Sequence, residues 1–293
     1  MPVSTVQLFS ICVLIWGSTW FAITFQLGAV APEMSVGYRF VLASAALFGY
    51  CRWRGLPLAF GLRQHLDFAL FGASMFCISY IFVYHAEAHI VSGMVAVGYS
   101  VSPMINMLAA RALFGAPMSR RVALAALFGV AGVVCIFWAE IGGVAVSRSV
   151  EWGVLLTILS VLASSAGSMA ALRNQKRGYS TWSSMTWGML YGGALSIAIG
   201  LATGRPLSFD PGAGYIVSLV YLALIGSVVT FACYLTLIRR IGSDRAAYIG
   251  VMVPIVALII SFLFEKFAWT WFTTAGVALS VIGNILMLHR TKP

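Results

Sequence analysis

The sequence predicts an all-α integral membrane protein with ten transmembrane helices arranged as two inverted five-helix repeats. Composition is the first observation behind this reading. Of the 293 residues 61% are apolar and only 9% charged, whereas a soluble domain carries about 25% charged residues. The chain lacks the polar surface to cover a water-exposed globule, and its mean hydropathy is +0.95. The second observation is that the apolar residues fall in runs of about 20, the length of helix that crosses a ~30 Å hydrocarbon core. The ~10-residue alternating segments of a membrane barrel are absent. Third, the basic residues collect in alternate links between the runs.

The spans read as 6–26, 34–52, 66–85, 92–111, 120–139, 152–172, 181–200, 214–238, 246–264 and 269–288. After the first, Ala29-Val30-Ala31 resembles a signal-peptidase site, but no Lys or Arg precedes the apolar run and the run is long for a signal sequence. It reads as a retained helix. Arg52, Arg54 and Arg63 follow the second span, and Arg111, Arg120 and Arg121 flank the next even link. Arg173, Lys176 and Arg177 follow the sixth, Arg239, Arg240 and Arg245 the eighth, and Arg290 and Lys292 the tenth. Fourteen of 18 basic residues thus share one side, against Arg39, Arg148, Arg205 and Lys266 on the other. The positive-inside rule makes that side, and both termini, cytoplasmic in a cell inner membrane. The net charge of +10 is therefore a topology signal, and no nucleic-acid partner is expected. The five cysteines show no CxxC spacing and read as small buried hydrophobes.

The chain also repeats itself. At an offset of 151, Pro103 pairs with Pro254, Val130 with Val281 and Gly132 with Gly283. At 154, Ala69-Leu70-Phe71-Gly72 pairs with Ala223-Leu224-Ile225-Gly226, and Tyr80 with Tyr234. Both offsets lay helix on helix, giving repeats at 1–143 and 144–293. Five spans per copy reverse the orientation of the second copy, the plan of many secondary transporters.

Trp16-Gly17-Ser18-Thr19, Tyr38-Arg39-Phe40 and the stretch from Pro254 to Glu265 resemble the EamA-type branch of the drug/metabolite transporter superfamily over essentially the whole chain. Within it the chain is most similar to aromatic amino acid exporters of the YddG type. Phe114 and Gly115 stand where the first repeat of the family usually has the glutamate matched by Glu265. The resemblance implies ten helices, cytoplasmic termini and export of a small metabolite.

Intramembrane polar residues are costly and usually face a cavity or a partner helix. No acid lies near the middle of any span, which removes the central carboxylate a proton-for-cation antiporter needs. Basic residues for a phosphate cargo are also missing, so the expected path is nearly neutral and suits a zwitterionic or uncharged solute. Gradient-driven export is expected over tight proton coupling. Trp16 and Trp20 lie four apart on the first helix, Tyr80 on the third and Tyr99 near the middle of the fourth. Ser164, Ser165 and Ser168 form a polar stripe in the sixth, with Tyr234 and Tyr248 in the second repeat. Rings give a flat solute a stacking surface and an ammonium a face to sit on, and hydroxyls orient a carboxylate. These nine residues are the candidate binding cavity. Interfacial belts and close helix packing also use such residues, and the belt reading is preferred for Tyr84, Trp152, Trp182 and Trp269.

Gly17, Gly72, Pro103, Gly226 and Pro254 are the candidate hinges, because proline removes a backbone bond and permits a kink. Arg39, His85 and His89 are candidates for an outer gate. Arg39 is expected to anchor to Glu33 or lipid headgroups, with steering of a departing carboxylate as the alternative. His85, Glu87 and His89 place two imidazoles at i and i+4 on one helix face, yet two nitrogens without a partner cluster do not make a metal site. No metal, cofactor or catalytic residue is expected. Gly129, Gly132, Gly276 and Gly283 read as scaffold packing or a dimer contact, in a monomer or weak homodimer. The expected function is export of small metabolites, most of all aromatic amino acids, by alternating access. Other amino acids of the threonine, homoserine or cysteine type, a proton-coupled mechanism, and a membrane receptor or structural protein are the alternatives. An intramembrane hydrolase is disfavoured, since neither a GxSG motif nor an intramembrane aspartate pair occurs.

Overall fold

The computed structural model describes residues 3–115, 120–141, 148–246 and 248–288. The predicted junction at 143/144 and the basic residues Arg290 and Lys292 lie outside them. Among the described residues there is no β-strand. The helices are α1 Thr5–Thr24, α2 Pro32–Trp53, α3 Leu62–Glu87, α4 Ser92–Phe114, α5 Arg120–Ile141, α6 Arg148–Lys176, α7 Thr181–Ala202, α8 Ala213–Ile241, α9 Ile249–Phe264 and α10 Trp271–Leu288. A single turn, Ser243–Ala246, precedes α9. Seven of the helices are long and apolar enough to cross a membrane, and apolar stretches of 10–17 residues lie within the other three.

Local chemistry sets the ends. Pro32 fills the first turn of α2, where its missing N–H costs nothing, and Glu33 beside it complements the positive helix terminus. At the far end of α4, Gly115 takes φ +67° and its N–H returns to the Ala110 and Arg111 carbonyls. A side chain there would strain the left-handed turn.

Three interior segments depart from α-helical winding. The backbone is π-helical over Ala73–Ile78 in α3 and over Tyr221–Val229 in α8, and tightens to a 3-10 turn over Tyr99–Val101 in α4. The last has a direct cause. Pro103 has no N–H for the Tyr99 carbonyl, and the Ser102 N–H bonds that carbonyl instead.

The described residues pack as two compact units, drawn from 1–21, 86–157 and 229–293 in one and from 22–85 and 158–228 in the other. In the first, α5 and α10 meet through glycines. A Cβ on Gly276 would stand 2.5 Å from the Gly132 carbonyl oxygen, and one on Gly283 would stand 2.7 Å from that of Ala125. In the second, α7 packs on α2 and α3 in the same way. A Cβ on Gly193 would lie 2.9 Å from the Val41 nitrogen and one on Gly192 would lie 2.6 Å from the Gly72 oxygen, while Ser44 Oγ donates to the Thr186 carbonyl at 2.8 Å. Lipid offers no hydrophobic drive for helix association, so this close backbone approach is what holds each unit together.

Gly276→Leu is therefore expected to destabilise the detergent-solubilised protein by ~1–3 kcal/mol through overpacking. Gly250→Ala, with open space around it, is expected to leave stability unchanged or raise it by up to about 1 kcal/mol. Thermal unfolding followed by size exclusion checks the contrast, and an equal fall in both variants would refute it.

Candidate functional site

In the first unit the candidate residues form two aromatic groups along α1. Trp16 has its ring centroid 5.2 Å from Phe231 and 5.2 Å from Tyr234, and one turn further on Trp20 stands 5.0 Å from Tyr99. Tyr99 occupies the 3-10 turn forced by Pro103, so the helix irregularity sets its ring beside Trp20. All four of Trp16, Trp20, Tyr99 and Tyr234 keep part of their surface exposed. Next to Tyr99, the Ser100 hydroxyl is buried with no partner, and with Pro254, Leu258, Ser280 and Asn284 it lines a small recess. Tyr248 lies in the turn before α9, because that helix begins at Ile249 instead of residue 246. Gly17 faces Val256 so closely that a Cβ would come within 2.5 Å of its Cγ1. Sequence reasoning missed Phe231, whose spacing within an apolar run gives no signal.

In the second unit the serine stripe divides. Ser164 Oγ lies 3.7 Å from the Met75 sulfur, Ser165 is buried with an unpartnered hydroxyl, and Ser168 is half-buried. Tyr80 packs edge-on against Phe40 at 4.8 Å and carries the Arg39 guanidinium over its face, 4.7 Å from the centroid. Arg39 is thus not paired with Glu33. It is only 3% exposed, and Glu33 bonds His85 instead, at 2.8 Å. Gly72 directly precedes one π-helical segment and Gly226 lies within the other.

Two further expectations are corrected. His85 and His89 do not share a helix face, since α3 ends at Glu87. His85 turns to Glu33 in the second unit, while His89, in the first, bonds Ser149 Oγ at 2.9 Å. No group of three metal-ligating side chains occurs among the described residues. Tyr84 does not belong to an interfacial belt, because it is fully buried and donates to Gln26 Oε1 at 2.8 Å. Trp152 and Trp269 do remain exposed.

The ionic site that the sequence pattern did not flag is Asp67, buried near the start of α3. It accepts from Arg173 Nη2 at 2.5 Å, from Arg177 Nη1 and from Tyr179 Oη at 3.2 Å. Its bond holds Arg177, just beyond α6, above the usual guanidinium pKa. Basic residues read as a topology signal thus also tie the end of α6 to α3.

Comparison with known proteins places this arrangement. The model of the EamA-like transporter family matches residues 3–138 and again 151–289. The chain belongs to that family. It is a multi-pass membrane protein from a family of small-molecule transporters. The chain is 27% identical over 255 residues to YedA, described as an inner membrane transporter, from Escherichia coli K12, covering 84% of this chain and 78% of that protein. It is 22% identical to PagO from Salmonella typhimurium, over 98% and 93% of the two chains. A crystal structure superposes with a TM-score of 0.69 at 19% identity, over 96% of this chain and 95% of the other, a likeness of fold.

The family motif ending in Glu265 has a definite structural task in this chain. Glu265 accepts from Ser92 N at 3.1 Å, from Ser92 Oγ at 2.5 Å and from Ser261 Oγ, and Ser261 Oγ accepts from Gly93 N at 2.8 Å. A carboxylate at the end of α9 thereby caps the N-terminus of α4, satisfying N–H groups that have no partner within the helix. Glu265→Ala is expected to cost ~1–2 kcal/mol, read as a lower unfolding midpoint, with Glu265→Gln recovering part of the loss. No change in either variant would show the cap to be energetically idle.

Proposed function

We propose that this family member exports small metabolites across a cell inner membrane, with amino acids as cargo and a preference for aromatic ones. The observation that carries the reading is the aromatic ladder of α1, with Trp16 beside Phe231 and Tyr234 and Trp20 beside Tyr99. Partly exposed rings on a membrane helix offer a flat solute a stacking surface and its ammonium a π face. Similarity to exporters of the YddG type, read from the sequence motifs, points the same way. Ten membrane helices in two inverted repeats, 1–143 and 144–293, are supported by the double family match. The two π-helical segments also sit at corresponding places in the two halves. Gly17, Gly72, Pro103, Gly226 and Pro254 would supply the bending for alternating access. Tyr248 in the first unit and, separately, Tyr80 and the three serines in the second are further candidates for solute contact, with His85 and His89 as outer-gate candidates. The inner-membrane placement draws on YedA, and cytoplasmic termini on the distribution of basic residues.

In counterflow from proteoliposomes loaded with labelled amino acids, phenylalanine and tryptophan are expected to exchange faster than threonine or cysteine. Trp16→Ala and Tyr99→Ala should each slow aromatic exchange by roughly tenfold, the equivalent of about 1.4 kcal/mol, in protein that still elutes as a single species. An unchanged rate in both would remove the aromatic ladder from the transport path.

The lack of a carboxylate in the middle of any helix favours gradient-driven flux. A pH gradient imposed across vesicles with equal substrate on both sides is expected to drive no net accumulation. Accumulation would establish proton coupling and overturn that half of the reading.

A further inference from the structure

Arg39 is a buried cation with N–H groups that lack an acceptor. It lies seven residues into α2, about 10 Å from the helix start at 1.5 Å per residue, and is 3% exposed. Its Nε and Nη1 are buried with no acceptor. The acid of the same helix, Glu33, is taken by His85. Among the described residues no carboxylate is paired with Arg39; its neighbours are rings, with its guanidinium carbon 4.7 Å from the Tyr80 centroid and 5.1 Å from that of Phe40. Those rings are fixed in turn, Phe40 lying 4.8 Å from Tyr80 and 5.0 Å from Phe76.

An uncompensated charge in a low-dielectric interior is among the most expensive features a fold carries, and it normally vanishes or acquires a partner. Water answers the N–H groups but not the charge. A π face offsets part of the cost while leaving in-plane N–H groups free to donate to a carboxylate.

We propose that Arg39, held over the Tyr80 ring, receives the carboxylate of the transported solute. This rests on the amino acid reading above and deepens it: Arg39 recognises the anionic end of the solute, and the solute class is narrowed to those bearing a carboxylate. Tyr80 acts as a positioning residue, because the guanidinium rests over its ring.

The test compares phenylalanine with phenylalaninamide, which keeps the ring and ammonium and lacks the carboxylate. In counterflow the wild-type protein should exchange phenylalanine at least tenfold faster than the amide. Arg39→Gln should lower phenylalanine exchange tenfold or more and bring the ratio near one, with Arg39→Lys intermediate. Melting of the purified protein gives an independent reading that does not require transport. Benzoate and phenylalanine should raise the wild-type Tm. Arg39→Gln should lose that rise while its unliganded Tm stays level or increases, since an unpaired buried charge has been removed. A lowered unliganded Tm, with ligand shifts intact, would make Arg39 a structural residue and overturn the proposal. Preserved discrimination in Arg39→Gln would overturn it as well and leave aromatic amino acid export standing. Repeating the exchange in phosphatidylcholine vesicles with and without phosphatidylglycerol separates the sources of anion. An Arg39 effect confined to the anionic lipid would assign the site to a headgroup and overturn the proposal. If the wild type exchanges neither solute, the amino acid reading fails, and the benzoate shift alone then decides whether Arg39 binds a carboxylate.

Discussion

Hydrocarbon supplies no hydrogen bonds, and this structure follows from that constraint. Each backbone N–H and C=O inside the bilayer must be satisfied within the chain, so helix is the form open to a chain without strand patterning. Once the backbone is paired, helices have no hydrophobic reason to associate. They associate where backbones approach within van der Waals range, as at Gly132 against Gly276 and at Gly72 against Gly192. The constraint also explains why irregular winding is so localised. The Tyr99 carbonyl loses its partner to Pro103 and recovers one from Ser102. The chain gives up a regular helix there without giving up a hydrogen bond, and the result is a bent, pre-aimed tyrosine.

Polar side chains obey the same rule at the helix ends. Glu265 is met by two serines and a backbone N–H, Asp67 by two arginines and a tyrosine, and Glu33 by His85. Each acid stands where a helix begins or another ends, and each holds a second element to the first. The acids act as fasteners close to the helix termini, which leaves the middle of the helices to rings and hydroxyls.

Much of the helix order was legible in the sequence because span length and basic links are one-dimensional signals. The predicted 181–200 became Thr181–Ala202, and 34–52 became Pro32–Trp53. Larger shifts came where a polar residue begins or ends a helix. Leu62 starts α3 ahead of residue 66 because Gly61 and Gln64 form a cap there, with Gln64 Oε1 accepting from Gly61 N at 2.6 Å. The site was legible as types of residue and less so as partners. Spacing placed Trp16 and Trp20 a turn apart on one helix, but each has its own partners, and Phe231 and Tyr234 reach Trp16 from more than 200 positions away, which periodicity does not encode. His85 and His89 failed for a simpler reason: an i, i+4 argument holds only while the helix continues, and α3 stops between them.

Arg39 exposes the deeper limit of sequence reading in a membrane protein. Its position near a helix end invites the inference that it snorkels to the interface, and for a lipid-facing arginine that inference holds. The helix face decides otherwise. Along α2, Ser35 reaches the Tyr215 hydroxyl, Phe40 meets Phe76 and Ser44 meets α7. A side chain on these inward faces is buried against neighbouring helices however close the helix end is. Depth along the membrane normal is readable from hydropathy, but orientation about the helix axis depends on which helices pack against it. The buried guanidinium of the second unit, with Nε and Nη1 lacking an acceptor, is therefore a group whose placement the sequence does not determine.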